Sequence, residues 1–269
     1  MSIDCNCDTS EARKWWRELS LEFIGTSLYV GVVATAATAG SGSASVAGLA
    51  LIGLLYMVQE ASSDGFGHFN PAVTTAFALA GESSLVLAIM LVVVQFVGGI
   101  AGGLLAWMFV SESGRDVLNL GVSGVPDSYR GGNNYTLFNG IMLEFFLSGA
   151  LATAFYVLYS KKKQQTFKST APLALGLFVQ SLVTVAAPLT TSIFNPAYSL
   201  GTSIISGEFD DFWVFLVLPF AGAALFVLGY KWTFIDEDCF CCAGGARHSY
   251  SDAIDDEYTY DQASASASY

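Results

Sequence analysis

Charged side chains are scarce in this sequence, where they make up 13% of the 269 residues. Soluble domains usually carry about a quarter charged residues, so this chain has too few to cover a water-exposed surface. Hydrophobic residues make up 53% instead and are gathered into long runs. A hydrocarbon core about 30 Å thick is crossed by roughly 20 apolar residues in a helix. The shortage of charge therefore predicts an integral membrane protein.

Histidine is also rare, with two residues, and the five cysteines lie outside the apolar runs. The sequence offers no Ser/His/Asp set, no phosphate-binding loop and no cysteine–histidine cluster with zinc spacing. Only 11 basic residues stand against 23 acidic ones. This balance argues against a nucleic-acid partner, because phosphate binding needs clustered Lys and Arg. We therefore expect no enzyme, no cofactor and no metal.

Six apolar runs are long enough to cross or nearly cross a bilayer. They are residues 19–40, 45–60, 84–110, 137–160, 171–190 and 212–231. Two further apolar pieces, one after the glycine-rich segment 64–67 and one at 195–207, are too short to cross. Such segments are tolerated at membrane depth only where protein or a water-filled cavity satisfies their backbone. The pattern predicts an all-α membrane protein with six transmembrane helices and two re-entrant half-helices.

Orientation follows from the basic residues, which accumulate on the cytoplasmic side of membrane proteins. In a six-span arrangement nine of the eleven fall on the side of both termini, and only Arg115 and Arg130 fall on the other. Both termini are therefore predicted to be cytoplasmic. The protein itself is expected in the plasma membrane or in a vacuolar or vesicular membrane. The sequon at Asn134 then lies on the outer side and is a candidate glycosylation site.

The chain contains an internal repeat with three landmarks. They are segments that begin at Glu22 and Glu144, two Asn-Pro-Ala triplets, and Phe-X-Gly segments that end at Gly98 and Gly222. The offsets between the two copies are 122, 125 and 124 positions, so the landmarks keep their order and nearly their spacing. Each half contains three spans, which is an odd number, so the halves have opposite orientations in the membrane. Inverted repeats of this kind place their site near the midplane, between the halves.

The two triplets, Asn70-Pro71-Ala72 and Asn195-Pro196-Ala197, have the chemistry of helix starts. Asn is a preferred N-cap, and Pro suits the first helical position because its missing N–H is not needed there. In inverted halves the two helix N-termini point at each other, and each carries about half a positive charge from its dipole. We expect this junction to repel cations, and its Asn carboxamides to interrupt a proton-conducting chain of waters.

With these two boxes in a six-span repeat, the chain resembles the aquaporin (major intrinsic protein) family. The resemblance runs from Glu22 to Gly222 and includes the box Gly67-His68-Phe69-Asn70-Pro71-Ala72-Val73-Thr74, with Gln95 and Gly98 in the third span. It implies a homotetramer with one pore in each subunit, which passes water and sometimes glycerol, urea or other small neutral molecules.

The resemblance also suggests a division of the chain. Residues 19–232 form the channel domain, with repeats at about 19–110 and 137–231. Residues 1–18 form a cytoplasmic N-terminal segment, and residues 233–269 form an acidic cytoplasmic tail. The composition of that tail, rich in acidic residues and Ser-Ala repeats, predicts disorder.

The sequence departs from the family at the narrowest part of the pore, which the resemblance places at four positions. In this chain they are Ala50, Val183, Ser192 and Tyr198. Ala47 replaces Ala50 if the segment before Asn70 contains an insertion. Tyr198 stands where the family has an Arg, and Val183 stands where water-selective members usually have a His.

Two consequences of these departures remain open. Small side chains at Ala50 and Val183 leave room for solutes wider than water, such as glycerol, urea or ammonia. Alternatively, Tyr198 fills the vacated space and slows the flow, or it points away from the pore as an interfacial aromatic. Loss of the Arg also removes one electrostatic barrier to cations. We expect water and some larger neutral solutes to pass.

Glu22 and Glu144 are carboxylates within spans, where burying an ionisable group is costly and therefore suggests a function. The resemblance implies that both accept hydrogen bonds from the re-entrant loops. His68 is expected to support its loop through a local hydrogen bond; a proton relay through the carboxylates and pH sensing by His68 are the alternatives.

A basic cytoplasmic loop contains Thr166 and Ser169, which are candidate phosphorylation sites for gating. A phosphate would add about −1.5 to −2 charges there. The simpler interpretation of the loop is the ordinary excess of positive charge on the cytoplasmic side.

The function predicted from the sequence is a passive transmembrane channel for water and small neutral solutes. Two alternatives keep the same fold. One is a poorly conducting structural or junctional membrane protein, and the other is a channel that leaks ions. The missing Arg is what makes both credible.

Overall fold

The computed structural model describes residues 9–40, 42–62, 67–114, 121–124, 137–160, 169–190 and 193–235. These ranges contain eight helices of nine residues or more and no β-strand. The helices are α1 Thr9–Thr38, α2 Ser43–Ala61, α3 Pro71–Leu79, α4 Leu85–Phe109, α5 Leu137–Tyr159, α6 Ala171–Thr190, α7 Pro196–Ser206 and α8 Phe212–Phe234. Most of the predicted acidic tail lies outside the described residues.

The six long helices coincide with the six predicted spans, and α3 and α7 with the two predicted half-helices, so the predicted architecture is confirmed. Five of the long helices are apolar enough over their length to cross a bilayer. In the sixth, α6, the apolar part runs from Ala171 to Ala187. Helix α1 begins at Thr9, ten residues before the predicted span, because its polar first part continues the helix beyond the apolar region.

The lengths of α3 and α7 explain why neither crosses the membrane. They have 9 and 11 residues. At 1.5 Å per residue they reach about 14 Å and about 17 Å, each close to half of a bilayer core of roughly 30 Å. Two such half-helices placed end to end therefore cover one bilayer thickness.

The outward face of α4 carries a stripe of apolar side chains. Val86, Ile89, Val93, Val97 and Leu104 are all about half exposed or more, at the spacing of one helix face. The opposite face of the same helix carries Gln95 and a group of glycines, all buried. An apolar exposed face combined with a polar and small-residue buried face fits a helix that contacts lipid.

Glycines on α4 allow close contact with α1. A Cβ added at Gly98 would lie 2.9 Å from the carbonyl oxygen of Phe23, and one at Gly102 would lie 2.7 Å from that of Ser27. Real Cβ atoms do not approach backbone so closely, so only glycine permits this helix crossing. In membranes, where packing replaces the hydrophobic effect between helices, such small-residue contacts stabilise association.

Two other glycines of α4, Gly99 and Gly103, contact half-helix α7 in the same way. A Cβ on Gly99 would overlap the backbone of Ala197, and a Cβ on Gly103 would lie 2.6 Å from the carbonyl oxygen of Gly201. A Cβ on Gly201 would in turn overlap the backbone of Gly99. Helix α4 therefore fixes both a transmembrane helix and a half-helix at backbone distance.

The inverted repeat is visible in these contacts. Gly98 meets the carbonyl of Phe23, and Gly222 of α8 meets the carbonyl of Phe145 in the same manner. Phe23 and Phe145 each follow the intramembrane glutamate of their half. The offset of 122 positions read from the sequence for α1 and α5 therefore describes equivalent positions in three dimensions.

Helices α2 and α6 form a second equivalent pair. Gly48 and Gly176 face each other. A Cβ added to either one would lie 2.5 Å from the carbonyl oxygen of the other. The distance along the chain from Gly48 to Asn70 is 22 positions, whereas that from Gly176 to Asn195 is 19. The first half thus has three more residues than the second between this helix and its half-helix.

Half-helix α3 ends against a cation. The ammonium of Lys231, in the last turn of α8, donates a hydrogen bond to the carbonyl oxygen of Ala80 at 2.9 Å. Ala80 is the C-cap of α3, where the helix dipole is negative. The contact stabilises the end of the half-helix that faces away from the junction.

Candidate functional site

The site is the junction where the two half-helices begin. Asn70 and Asn195 are their N-caps, each in extended backbone conformation and each followed by a proline. The side-chain oxygen of Asn70 accepts the backbone N–H of Ala72 at 3.0 Å, and that of Asn195 accepts the N–H of Ala197 at 3.0 Å. The local chemistry predicted for both triplets is therefore present in the structure.

The two starts are bonded to each other. Asn70 Nδ2 donates to the carbonyl oxygen of Phe194 at 3.0 Å, and Asn195 Nδ2 donates to that of Phe69 at 2.8 Å. Each carboxamide thus caps its own helix with its oxygen and bridges to the other half with one N–H. A carboxamide has two N–H donors, so each Asn has a second donor besides this bond.

Phe69 and Phe194 adopt backbone conformations that aromatic residues rarely use. Their φ angles are 50° and 58°, in the left-handed region. This conformation costs of order 1–3 kcal/mol and persists where surrounding structure holds it. The ring of Phe69 packs where Gly25 and Gly67 lack side chains, since a Cβ on either would overlap it. At both positions the strained residue supplies the carbonyl that accepts from the opposite Asn.

Glu22 holds the loop that precedes Asn70. Its carboxylate accepts the backbone N–H of His68 at 2.6 Å and that of Phe69 at 2.8 Å. It also accepts from Gln95 Nε2 of α4 at 2.9 Å. Hydrogen bonds to a carboxylate are about twice as strong as neutral ones, so this buried group anchors the strained loop to two transmembrane helices.

Thr74 links the same loop to the start of α3. Its hydroxyl donates to the carbonyl oxygen of Asn70 at 3.1 Å and accepts from Gln95 Nε2 at 2.7 Å. The ring nitrogen Nδ1 of His68 lies 3.0 Å from the same hydroxyl. His68 is buried against Phe77, with ring centroids 4.5 Å apart.

Glu144 lies at the equivalent place in the second half. It is completely buried, and its Oε1 accepts from the hydroxyl of Thr190 at 3.2 Å. Thr190 ends α6, immediately before the segment that leads to Asn195. The carboxylate therefore contacts the entrance to the second half-helix, as Glu22 does the first.

A cavity of about 230 Å³ opens beside the start of α7. Its walls come from the end of α1, the start of α2, the end of α6, the loop 121–124 and the loop before Asn195. The lining residues are Val33, Ala37, Ser43, Gly121, Val122, Val183, Ala187, Ile193 and Tyr198. None of these nine side chains is charged. We call this space the outer cavity, because the predicted orientation places it on the outer side.

Tyr198 closes one side of the outer cavity and is fixed there. Its ring is 1% exposed, and its hydroxyl donates to the carbonyl oxygen of Gly121 at 2.8 Å. Gly121 has a φ of 68°, a conformation that suits glycine, and an added Cβ would lie 2.8 Å from the Tyr198 hydroxyl. Tyr198 therefore points inward, and it does not lie at the protein surface as an interfacial aromatic.

The short loop 121–124 is bound along the second half. Ser123 Oγ lies 3.0 Å from Ser199 Oγ, and the backbone N–H of Gly124 donates to the carbonyl oxygen of Thr190 at 3.0 Å. With the Tyr198 contact, three hydrogen-bonded contacts hold four residues. The loop is thus a fixed wall of the outer cavity.

The structure brings together some of the residues predicted for the narrow part of the pore. Val183 and Tyr198 line the same cavity. Ala50 is half-buried and is not among the lining residues; α2 contributes Ser43 instead, with Ala47 fully buried one turn further along. Ser192, Asn134 and Thr166 lie outside the described residues. Ser169 is exposed, and its carbonyl oxygen accepts from the Tyr56 hydroxyl at 2.9 Å.

Seven lining residues had no role in the sequence-based prediction: Val33, Ala37, Ser43, Gly121, Val122, Ala187 and Ile193. The first two lie four positions apart on the buried face of α1, and a helical periodicity therefore places them on one face. The contact of Gly121 with Tyr198 joins residues 77 positions apart. No local pattern in the sequence indicates that contact.

The comparison with known families and proteins agrees with this geometry. The profile of the family described as "Major intrinsic protein" matches residues 9–230. "Aquaporin TIP2-3" of Arabidopsis thaliana is 30% identical over 225 residues, which is 80% of this chain and 86% of that protein. "Probable aquaporin TIP2-2" of Oryza sativa subsp. japonica is 26% identical over 228 residues, 81% of this chain and 87% of that protein.

A solved structure has the same fold. The aquaglyceroporin from Plasmodium falciparum superposes with a TM-score of 0.70 and covers 82% of this chain and 97% of its own. Sequence identity is 20%, so the likeness concerns the arrangement of the helices.

Proposed function

Because this chain belongs to the major intrinsic protein family, we propose that it is a passive transmembrane channel for water and small neutral solutes such as glycerol, urea or ammonia. The observation that carries the proposal is the reciprocal hydrogen bonding of Asn70 and Asn195 across the junction. It fixes two helix N-termini head to head, with amide N–H groups available to a passing oxygen atom.

The junction has a charge that disfavours cations. Each half-helix N-terminus carries about half a positive charge. The two starts face each other within hydrogen-bond distance of the opposite loop, so their potentials add at one point. A neutral solute with an oxygen acceptor is stabilised there, whereas a cation or a hydronium ion is repelled.

The outer cavity supports a solute range wider than water alone. Its described lining is mostly apolar, with the hydroxyls of Ser43 and Tyr198 as the polar side-chain groups. A volume of about 230 Å³ has room for several waters or a three-carbon polyol. Apolar walls with few polar groups suit solutes such as glycerol. The carbon chain of glycerol contacts the apolar side chains, and its hydroxyls form hydrogen bonds with the polar groups.

We propose further that the protein forms a homotetramer with one pore in each subunit and that both termini are cytoplasmic. Family membership supports the first, and the distribution of basic residues supports the second. Asn134 as a glycosylation site and Thr166 and Ser169 as phosphorylation sites stay predictions. The division into an N-terminal segment (residues 1–18), a channel domain (19–232) and an acidic tail (233–269) also stays a prediction.

The substitution Tyr198→Arg tests whether the outer cavity determines the solutes. Arg at this place brings a positive charge and five N–H donors into a cavity without charge. We expect the ratio of glycerol to water permeability, measured by light scattering of proteoliposomes, to fall roughly tenfold, which corresponds to about 1.4 kcal/mol in relative barrier height.

The matched control for that experiment is Tyr198→Phe. It keeps the ring and removes only the hydrogen bond to Gly121, so the permeability ratio should stay close to that of the unsubstituted protein. A ratio that Tyr198→Arg leaves unaltered would show that the solute does not pass beside residue 198.

A further inference from the structure

The pseudo-symmetry of the fold identifies the counterpart of the outer cavity at the opposite mouth. Equivalent positions lie 122 apart between α1 and α5 and 128 apart between α2 and α6, as the paired glycine contacts show. Three lining residues of the outer cavity are small or of moderate size. The counterparts of Val33, Ala37 and Ala187 are Phe155, Tyr159 and Gln59 respectively.

These counterparts are larger than the residues that they correspond to. Val33 has three side-chain carbons and Ala37 has one, whereas Phe155 and Tyr159 each carry a six-membered ring. Both rings are 2% exposed, so they fill the interior and do not face lipid. Two other counterparts are also buried. Val183 corresponds to Leu55 and Ile193 corresponds to His68.

Contacts between the large counterparts join the two halves at this mouth. Gln59 Nε2 of α2 donates to the hydroxyl of Tyr159 of α5 at 3.2 Å. The ring of Phe155 lies 6.2 Å from that of Tyr159 and meets the ring of His68 edge to face at 6.5 Å. His68 precedes Asn70 by two positions. The contacts therefore run from the mouth up to the half-helix junction.

We propose that Gln59, Phe155 and Tyr159 form a second filter, the inner constriction, and that it sets the upper size limit for solutes. The proposal rests on the proposed channel function. The hydrogen bond between Gln59 and Tyr159 is a neutral contact between side chains, and water can replace it on both partners while passing. A solute wider than water requires the two buried rings to move, which close packing resists. The outer cavity admits the wider solutes, and the inner constriction selects among them.

The test gives three positions of the inner mouth the residues of their outer counterparts. In the triple variant Gln59→Ala, Phe155→Val and Tyr159→Ala, each residue takes the identity of its counterpart. We expect the glycerol and urea permeabilities of proteoliposomes to rise roughly tenfold, a change that corresponds to about 1.4 kcal/mol. Water permeability should rise much less, so the glycerol-to-water ratio increases.

Two further variants keep the result interpretable. Tyr159→Phe retains the ring and removes the hydroxyl, so it should raise water permeability slightly and leave glycerol permeability unchanged. Phe138→Val replaces an exposed Phe on the same helix, 64% exposed, and should change neither. If the triple variant does not yield folded protein, the single variant Tyr159→Ala takes its place, with a smaller increase in glycerol permeability expected.

The outcomes separate this proposal from the channel function itself. If the unsubstituted protein conducts water and the folded triple variant shows the same permeability to all three solutes, the inner constriction is wrong while the channel function stands. If neither protein conducts any solute, both are wrong. If only the triple variant conducts, the inner constriction blocks water as well, and its role as a size filter is wrong.

Discussion

Replacement of Gly201 by alanine is expected to reduce water permeability at least roughly tenfold and to lower the temperature of unfolding. The added methyl group would overlap the backbone of Gly99 on α4. Backbone atoms cannot rotate away as a side chain can, so half-helix α7 must move outward. Overpacking a tight contact costs about 1–3 kcal/mol, and here the displaced helix start carries Asn195.

The displacement would act on function as well as on stability. Asn195 Nδ2 reaches the carbonyl oxygen of Phe69 at 2.8 Å, and Tyr198 reaches Gly121 at 2.8 Å. A shift of α7 by an ångström lengthens both hydrogen bonds beyond useful range. The junction and one wall of the outer cavity would therefore lose their geometry together.

The control for this prediction is Gly53→Ala. Gly53 lies within α2, and apart from the neighbouring backbone of that helix no atom lies within 4 Å of an added Cβ there. Alanine should stabilise the helix slightly, because its helix propensity exceeds that of glycine by about 1 kcal/mol. Thermal unfolding in detergent and the shrinkage of proteoliposomes should separate the two variants. Equal behaviour of Gly201→Ala and Gly53→Ala would mean that the contact between α4 and α7 is not required.

Replacement of Glu22 by glutamine is expected to destabilise the protein and to lower its water permeability, although the side chain keeps its size. The carboxylate accepts three hydrogen bonds through two oxygens, two of them from the backbone of His68 and Phe69. Glutamine offers one oxygen and an NH₂ group, which faces a donor. A buried donor left without an acceptor costs about 1–3 kcal/mol.

The loss would fall on the strained loop. Phe69, at a φ of 50°, has its N–H bound by Glu22 and its carbonyl bound by Asn195. With one of the two bonds gone, we expect the loop to relax and the bond from Asn195 to weaken. Glu60→Gln, at the exposed end of α2, is the matched control and should leave stability and permeability unchanged. A Glu22→Gln protein as stable and as permeable as the control would contradict a supporting role for Glu22.

The sequence allowed the main features of the fold to be predicted, because their signals are local. Asn followed by Pro suits a helix start, because Asn is a preferred N-cap and Pro fits the first helical position. An odd number of spans in each half requires the inversion. The helix starts at Pro71 and Pro196 follow from the first fact, and the opposite orientations of the halves follow from the second. The hydrogen bonds from each Asn to the carbonyl of Phe194 or Phe69 were found only in the structure. Where α1 begins could not be predicted from hydropathy, since a helix continues into water without a change in backbone hydrogen bonding.

The candidate site could be predicted only in part. Val183 and Tyr198 were reached by counting from Asn195 over a short distance, and both line the cavity. Ala50 was obtained by counting along the chain before Asn70 without a gap. That segment is three residues longer in the first half than in the second, so the position was not the equivalent one. Gly121 belongs to a loop whose contacts depend on tertiary structure. Phe155 and Tyr159 could be identified as the counterparts of Val33 and Ala37 only once the structure showed which positions of α1 and α5 are equivalent.

The most direct test of the central claim is the rate of volume change of proteoliposomes that contain the purified protein, after an osmotic step in sucrose, glycerol or urea. The head-to-head junction of Asn70 and Asn195 predicts faster water movement than in protein-free vesicles, uptake of at least one of the two smaller solutes, and no current under an applied voltage. Rates equal to those of protein-free vesicles for every solute, or a current carried by cations, would contradict it.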